Sequence, residues 1–145
     1  MHRIRDEQGN ALIETAVTLP IVLLIAVGIF DFGRAYQTWQ ILTNAAREGA
    51  RVAVLSSSTE GGVTGRVRSS MQDGQLSKYG TASVTVNRSA TITVNGAPVS
   101  ASKVTVDYPF DFMVLQPVAR LISPATTLGA PLTMRAEAVM RNEFQ

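Results

Sequence analysis

Two residues near the N-terminus could do chemistry together. Glu14 is the single charge between Ala11 and Phe30, and Gly9 stands five residues before it. A carboxylate at a bilayer centre costs on the order of 2.5–3.5 kcal/mol, and less near the interface. An acid placed here therefore reaches the headgroups, takes up a proton, or finds a cation. A cut after Gly9 would make Asn10 the first residue and Glu14 the fifth, and the new α-amine would then supply the cation. Such a cut would be a reaction performed on this chain, not by it, and it would create an ion-pair partner for Glu14.

Other chemistries have little to work with. The 145 residues contain no cysteine and one histidine, His2, ahead of the apolar run, so neither disulfides nor thiolate sites are available. The rest of the chain offers Ser, Asp and Glu. A pair such as Asp107 and Asp111 is the remaining option for a membrane-tethered hydrolase or metal-binding module, although both acids are also placed to flank a Tyr108-Pro109 turn at a strand end. The 13 basic and 11 acidic residues are scattered, for a net charge of +2, without the basic block that tracks phosphates. Nucleic-acid binding is excluded on that ground, and no cofactor is implied.

The element that positions Glu14 is the apolar run itself. From Thr15 to Phe30 there is no charge, and at 1.5 Å per residue a helix of about this length crosses a ~30 Å hydrocarbon core. A secretory signal would have a small-x-small cleavage site after it, whereas Ile29-Phe30-Asp31-Phe32 follows here, so a retained transmembrane helix is expected, with a kink near Pro20. Arg3 and Arg5 on one side and Arg34 and Arg47 on the other leave the positive-inside count nearly tied. Helical periodicity continues through Asp31–Leu55. It puts Ala35, Trp39, Leu42, Ala46, Gly49 and Ala53 on one stripe and predicts one helix from Asn10 to Leu55, roughly 70 Å long. Tyr36 and Trp39 are expected to pack on the globular part.

Ser56–Gly62 reads as a connector, and Val63, Val67 and Met71 at i, i+4 spacing predict a short amphipathic helix after it. The period then changes. A-S-V-T-V-N, A-T-I-T-V-N and S-K-V-T-V-D-Y alternate as half-buried strands do, with Val84, Val86, Ile92, Val94, Val104 and Val106 inward. Asn95-Gly96 marks a hairpin, its loop lengthened by Ala97-Pro98. Phe110–Ile122, interrupted by Pro117, reads as a short helical or irregular cover for a sheet face. Leu132, Met134, Ala136, Ala138 and Met140 line one face of a terminal strand. The class is α+β: a long N-terminal transmembrane helix extending into a small soluble domain with an antiparallel sheet. The boundaries are 1–9 for a leader, 10–30 for the span, 31–55 for the helix extension and 56–145 for one extracytoplasmic domain.

G-N-A-L-I-E behind the short hydrophilic leader M-H-R-I-R-D-E-Q-G resembles a type IV prepilin signal. Joined to L-P-I-V-L-L, F-D-F-G-R-A-Y and above all L-T-N-A-A-R-E-G-A-R (Leu42–Arg51), it is similar to the TadE-like minor pseudopilins of tight-adherence (Flp) pilus systems, with M-R-N-E at Met140–Glu143 a weaker match. Thr15 departs from the aromatic residue many members carry after the glutamate. The resemblance implies a non-enzymatic pilus-assembly subunit in the bacterial cytoplasmic membrane, N-terminus inside. It further implies processing between Gly9 and Asn10 by a prepilin peptidase, docking through Glu14, and other pilins or pseudopilins and the assembly platform as partners. In the helix, Ala45, Ala46, Gly49 and Ala50 with Arg47 and Arg51 form a candidate contact surface, small enough for another backbone to approach. The chain's own sheet or a neighbouring subunit could fill it. Asp31 with Arg34, and Glu48 with Arg51, are spaced to pair at i, i+3.

Overall fold

The computed structural model describes residues 3–142, with side chains from Gly9 onward except that of Ile122. His2 and Glu143 lie outside the described residues. The first element, α1 (Arg3–Ala53), is one helix running unbroken through Pro20. It begins seven residues before Asn10, because the leader's Arg, Asp, Glu and Gln are all compatible with a helix and nothing there stops one. The chain forms two compact units. One contains α1 up to Arg34 together with Asp111–Ala130; the other contains Ala35–Phe110 and the chain from Pro131.

In the first unit α1 is exposed along most of Asn10–Phe30, with Leu12, Ile13 and Val17 each more than 60% open. A soluble helix does not leave such a surface in water, and among the described residues α1 is the one helix long and apolar enough to cross a membrane. The unit also holds α3 (Leu115–Ile122), which buries Leu115 and Ala119. Gly129 closes the segment after α3. Its φ of +73° suits glycine, and an added Cβ would stand 2.7 Å from the Gln116 backbone nitrogen. Phe110 itself ends β2, and the contacts of residues 112–115 run to Asp31 and Phe32 of α1, where the sequence pattern suggested a sheet face.

In the second unit the C-terminal part of α1 packs with α2 (Glu60–Asp73) and a three-stranded antiparallel sheet of order β1 (Ser83–Val94), β2 (Ala97–Phe110), β3 (Leu132–Arg141). Thr59 caps α2 by accepting the Gly62 N–H at 3.1 Å, so the helix starts inside the segment that reads as a connector. Val63, Val67 and Met71 are fully buried, as their spacing predicts. Val104 and Val106 of central β2 and Ala136 and Ala138 of β3 line the covered face.

Several expectations are corrected here. The two alternating runs before Asn95 form one strand, β1, with a register irregularity between Asn87 and Ala90 instead of a break. The hairpin loop is only Asn95-Gly96, at φ +52° and +81°, the signature of a tight type I′ turn, and Val94 pairs directly with Ala97. Pro98 fits next to it because its nitrogen points away from β1 and β3 reaches β2 only from Ala101. That uncovered tip also leaves Val94 exposed; Leu132, at the start of β3, is exposed as well. Tyr108-Pro109 lies within β2, not in a turn, with Tyr108 buried and its hydroxyl accepting the Lys78 N–H at 3.3 Å. Finally, Trp39 and Tyr36 stay exposed against each other, ring centroids 6.3 Å apart, while Thr38 takes the buried place on the stripe.

Candidate assembly site

Glu14 stands exposed on α1, and Gly9 and Asn10 lie one turn before it on the same helix. Among the described residues it enters no ion pair. The next residue, Thr15, donates its hydroxyl to the Ala11 carbonyl at 2.8 Å. That back-bond satisfies the one hydroxyl beside the acid inside the helix, so Thr15 is compatible with an apolar surrounding. An added Cβ at Gly9, Gly28 or Gly33 would meet nothing within 4 Å.

The Leu42–Arg51 signature resolves into two kinds of residue. Ala45, Ala46, Gly49 and Ala50 are buried within the second unit. Gly49 lies directly under Val67 of α2, where an added Cβ would collide with the valine methyl and come within 3.2 Å of Val104 of β2. The small residues are therefore used for close packing inside the chain. Arg47 and Arg51 are exposed. Arg51 donates to Glu48 at 3.4 Å, and Arg66 of α2 donates to the same carboxylate at 3.1 Å, which ties the two helices on their solvent side.

Asp31 has a larger role than its i, i+3 spacing to Arg34 indicates. It is fully buried. Its carboxylate accepts the backbone N–H groups of Met113 (3.4 Å), Val114 (2.9 Å) and Leu115 (2.7 Å), and Arg34 donates at 3.2 Å. Burial alone would raise its pKa, but the three N–H donors and Arg34 outweigh that and hold the carboxyl below its ordinary 3.8. It thus supplies the N-terminal cap that Val114, the residue before α3, does not provide with its own side chain. Asp31 is recognisable in sequence as the first charge after the apolar run; its partners more than eighty residues on are not.

A second network closes the end of the sheet. Ser102, buried, donates to Asn142 Oδ1 at 2.7 Å, and Asn142 Nδ2 donates to Ser100 Oγ at 2.9 Å. Arg88, at the β1 irregularity, donates to the Ser58 carbonyl and hydroxyl at 2.6 and 3.0 Å. Asn142 belongs to the M-R-N-E segment, so that pattern has a folding role here. Asp107, offered above as half of a catalytic pair, is held by two hydrogen bonds from Arg135 at 2.7 and 3.1 Å. Among the described residues no three His, Cys, Asp or Glu side chains form a metal-binding group.

Comparison with characterised proteins and with solved structures found no match. Against known families one did: residues 9–51 match the TadE-like proteins, a structural family associated with Tad pili, and this segment, from Gly9 through Glu14 to the last arginine of L-T-N-A-A-R-E-G-A-R, is TadE-like.

Proposed function

We propose that the chain is a membrane-anchored minor pseudopilin that contributes to assembly of a tight-adherence (Flp) pilus without catalysing a reaction. The observation that carries this reading is the TadE-like match, which starts at Gly9 and includes Glu14 together with the apolar run. In this reading residues 10–30 cross the bacterial cytoplasmic membrane, residues 1–9 are the cytoplasmic leader, and the chain beyond the span is extracytoplasmic. A prepilin peptidase cuts between Gly9 and Asn10. The freed amine of Asn10, in the same or a neighbouring subunit, then pairs with Glu14 and offsets the cost of holding a carboxylate in hydrocarbon. Pilins, other pseudopilins and the assembly platform are the partners, and exposed Arg47 and Arg51 are the members of the 45–51 surface left open to them.

Mass spectrometry of the protein co-expressed with a prepilin peptidase should return Asn10 as the mature N-terminus; peptides spanning Gly9–Asn10 in most molecules would remove the processing step. Glu14→Ala should insert in the membrane at the wild-type level yet reduce surface pili. Unchanged piliation in that variant would leave Glu14 as an ordinary interfacial acid.

A further inference from the structure

The segment Phe112–Ala130 carries one charge in nineteen residues, Arg120. It does not use this apolar character to fill a core. Met113 is 65% exposed, Leu121 86% and Leu128 50%, while Leu115 and Ala119 of the same stretch are buried. Leu121 is exposed on α3 beside Arg120, and Met113 and Leu128 are exposed on either side of the helix, so large apolar side chains gathered on one short segment stand open and call for an apolar surrounding. The height of the segment along α1 identifies that surrounding. Asp31 follows directly on the uncharged run Thr15–Phe30, and its carboxylate holds the N–H groups of residues 113–115. One residue on, Phe32 meets Phe112 edge to face, with centroids 5.9 Å apart. The start of α3 is therefore fastened at the level where the apolar surface of α1 ends, beside Ile29 and Phe30, which are 71% and 59% exposed.

From this geometry we infer that residues 112–128 form an interfacial element: α3 lies in the boundary between headgroups and acyl chains, with Met113, Leu121 and Leu128 inserted into the lipid that surrounds the span. An apolar face of this kind sits about 5–10 Å into the boundary. Arg120 is free to reach the phosphates in the way that cations on such helices do. The chain would then hold the membrane at two points, the span and α3, joined by the Asp31 carboxylate. The inference rests on the reading that residues 10–30 cross the bilayer.

Because the chain has no native cysteine, single labels can be placed cleanly. Leu121→Cys and, separately, Met113→Cys, both at open positions, are labelled with an environment-sensitive fluorophore in the full chain in lipid nanodiscs. Val22→Cys is the control for the span. Nitroxide lipids labelled high or low on the acyl chain and aqueous iodide are the quenchers. Labels at 113 and 121 are expected to lose emission to the shallow nitroxide and to be shielded from iodide. If either is quenched by iodide and not by nitroxide, the segment faces water and the inference fails. Shielding from both quenchers means protein, such as a second copy, covers it, and this too overturns the inference. Val22 should respond to the deep nitroxide; if it does not, the membrane reading itself fails, and if Val22 responds while 113 and 121 do not, only the interfacial element is lost.

Discussion

Replacing Asp31 by asparagine tests the latch between α1 and α3 with almost no change of shape. In the wild type Oδ2 accepts two N–H groups at 2.9 and 2.7 Å, and Oδ1 accepts Met113 N–H at 3.4 Å and Arg34 at 3.2 Å. An amide has one acceptor oxygen and one donor nitrogen, so either orientation points an NH2 at groups that are themselves donors. Hydrogen bonds to a charged group contribute about 1.5–3 kcal/mol and neutral ones about 1, and a buried donor left unmade costs about 1–3 kcal/mol. A net loss of about 2–3 kcal/mol follows, which is roughly 30- to 150-fold in a local opening equilibrium. Hydrogen exchange followed by mass spectrometry, on protein in nanodiscs, should show that acceleration in peptides covering residues 113–119, with peptides of β2 unchanged. The wild type adds a pH signature. Because the folded carboxyl is held below 3.8, its contribution is complete above that value and is lost as pH falls through the lower, folded value. Exchange in α3 should therefore gain no extra acceleration from pH 7 to 5, beyond the intrinsic chemistry, and gain it only in strong acid; Asp31→Asn should lack that transition. Equal exchange in the two proteins, within twofold, would refute the claim that this carboxylate holds α3.

Gly49→Ala forces a methyl against Val67 and to 3.2 Å from Val104, and overpacking of that kind costs about 1–3 kcal/mol; a thermal or urea midpoint below wild type checks it. Asn142→Ala deprives the buried Ser102 hydroxyl of its 2.7 Å acceptor, leaving Ala53 O at 3.4 Å, and should lower stability by about 1–2 kcal/mol, read in the same melt.

What the sequence reveals depends on how far apart the interacting residues lie. Val63, Val67 and Met71 are legible because their burial follows from a local period, and Asn95-Gly96 because a two-residue turn is encoded by the two residues that make it. Asn87-Arg88-Ser89 interrupts the alternation and so separates two runs in the sequence. The strand continues because Arg88 finds Ser58, thirty residues away, and Ser89 N–H finds the Asn87 side chain at 2.9 Å. Trp39 illustrates the opposite error: an apolar residue on a helical stripe reads as core, but the buried stripe passes through Thr38 and Leu42 and leaves the indole outside. For the site, the pairing of Asp31 with Arg34 is a local rule and was readable, whereas its larger role depends on backbone groups 82–84 positions later, which no pattern around Asp31 encodes.

The same distinction bears on the A-A-R-E-G-A-R signature, the most specific part of the TadE-like segment. Its place inside a segment that matches a pilus-associated family invites the interpretation that it touches the pilus. In this chain four of its seven residues, Ala45, Ala46, Gly49 and Ala50, are buried, Gly49 against Val67 of α2 and Val104 of β2, and Glu48 bridges Arg51 to Arg66 eighteen residues on. These are the requirements for seating a helix in a small domain that has no disulfide or thiolate metal site to reinforce it. Arg47 and Arg51 are presented outward. The signature therefore chiefly serves packing within the second unit.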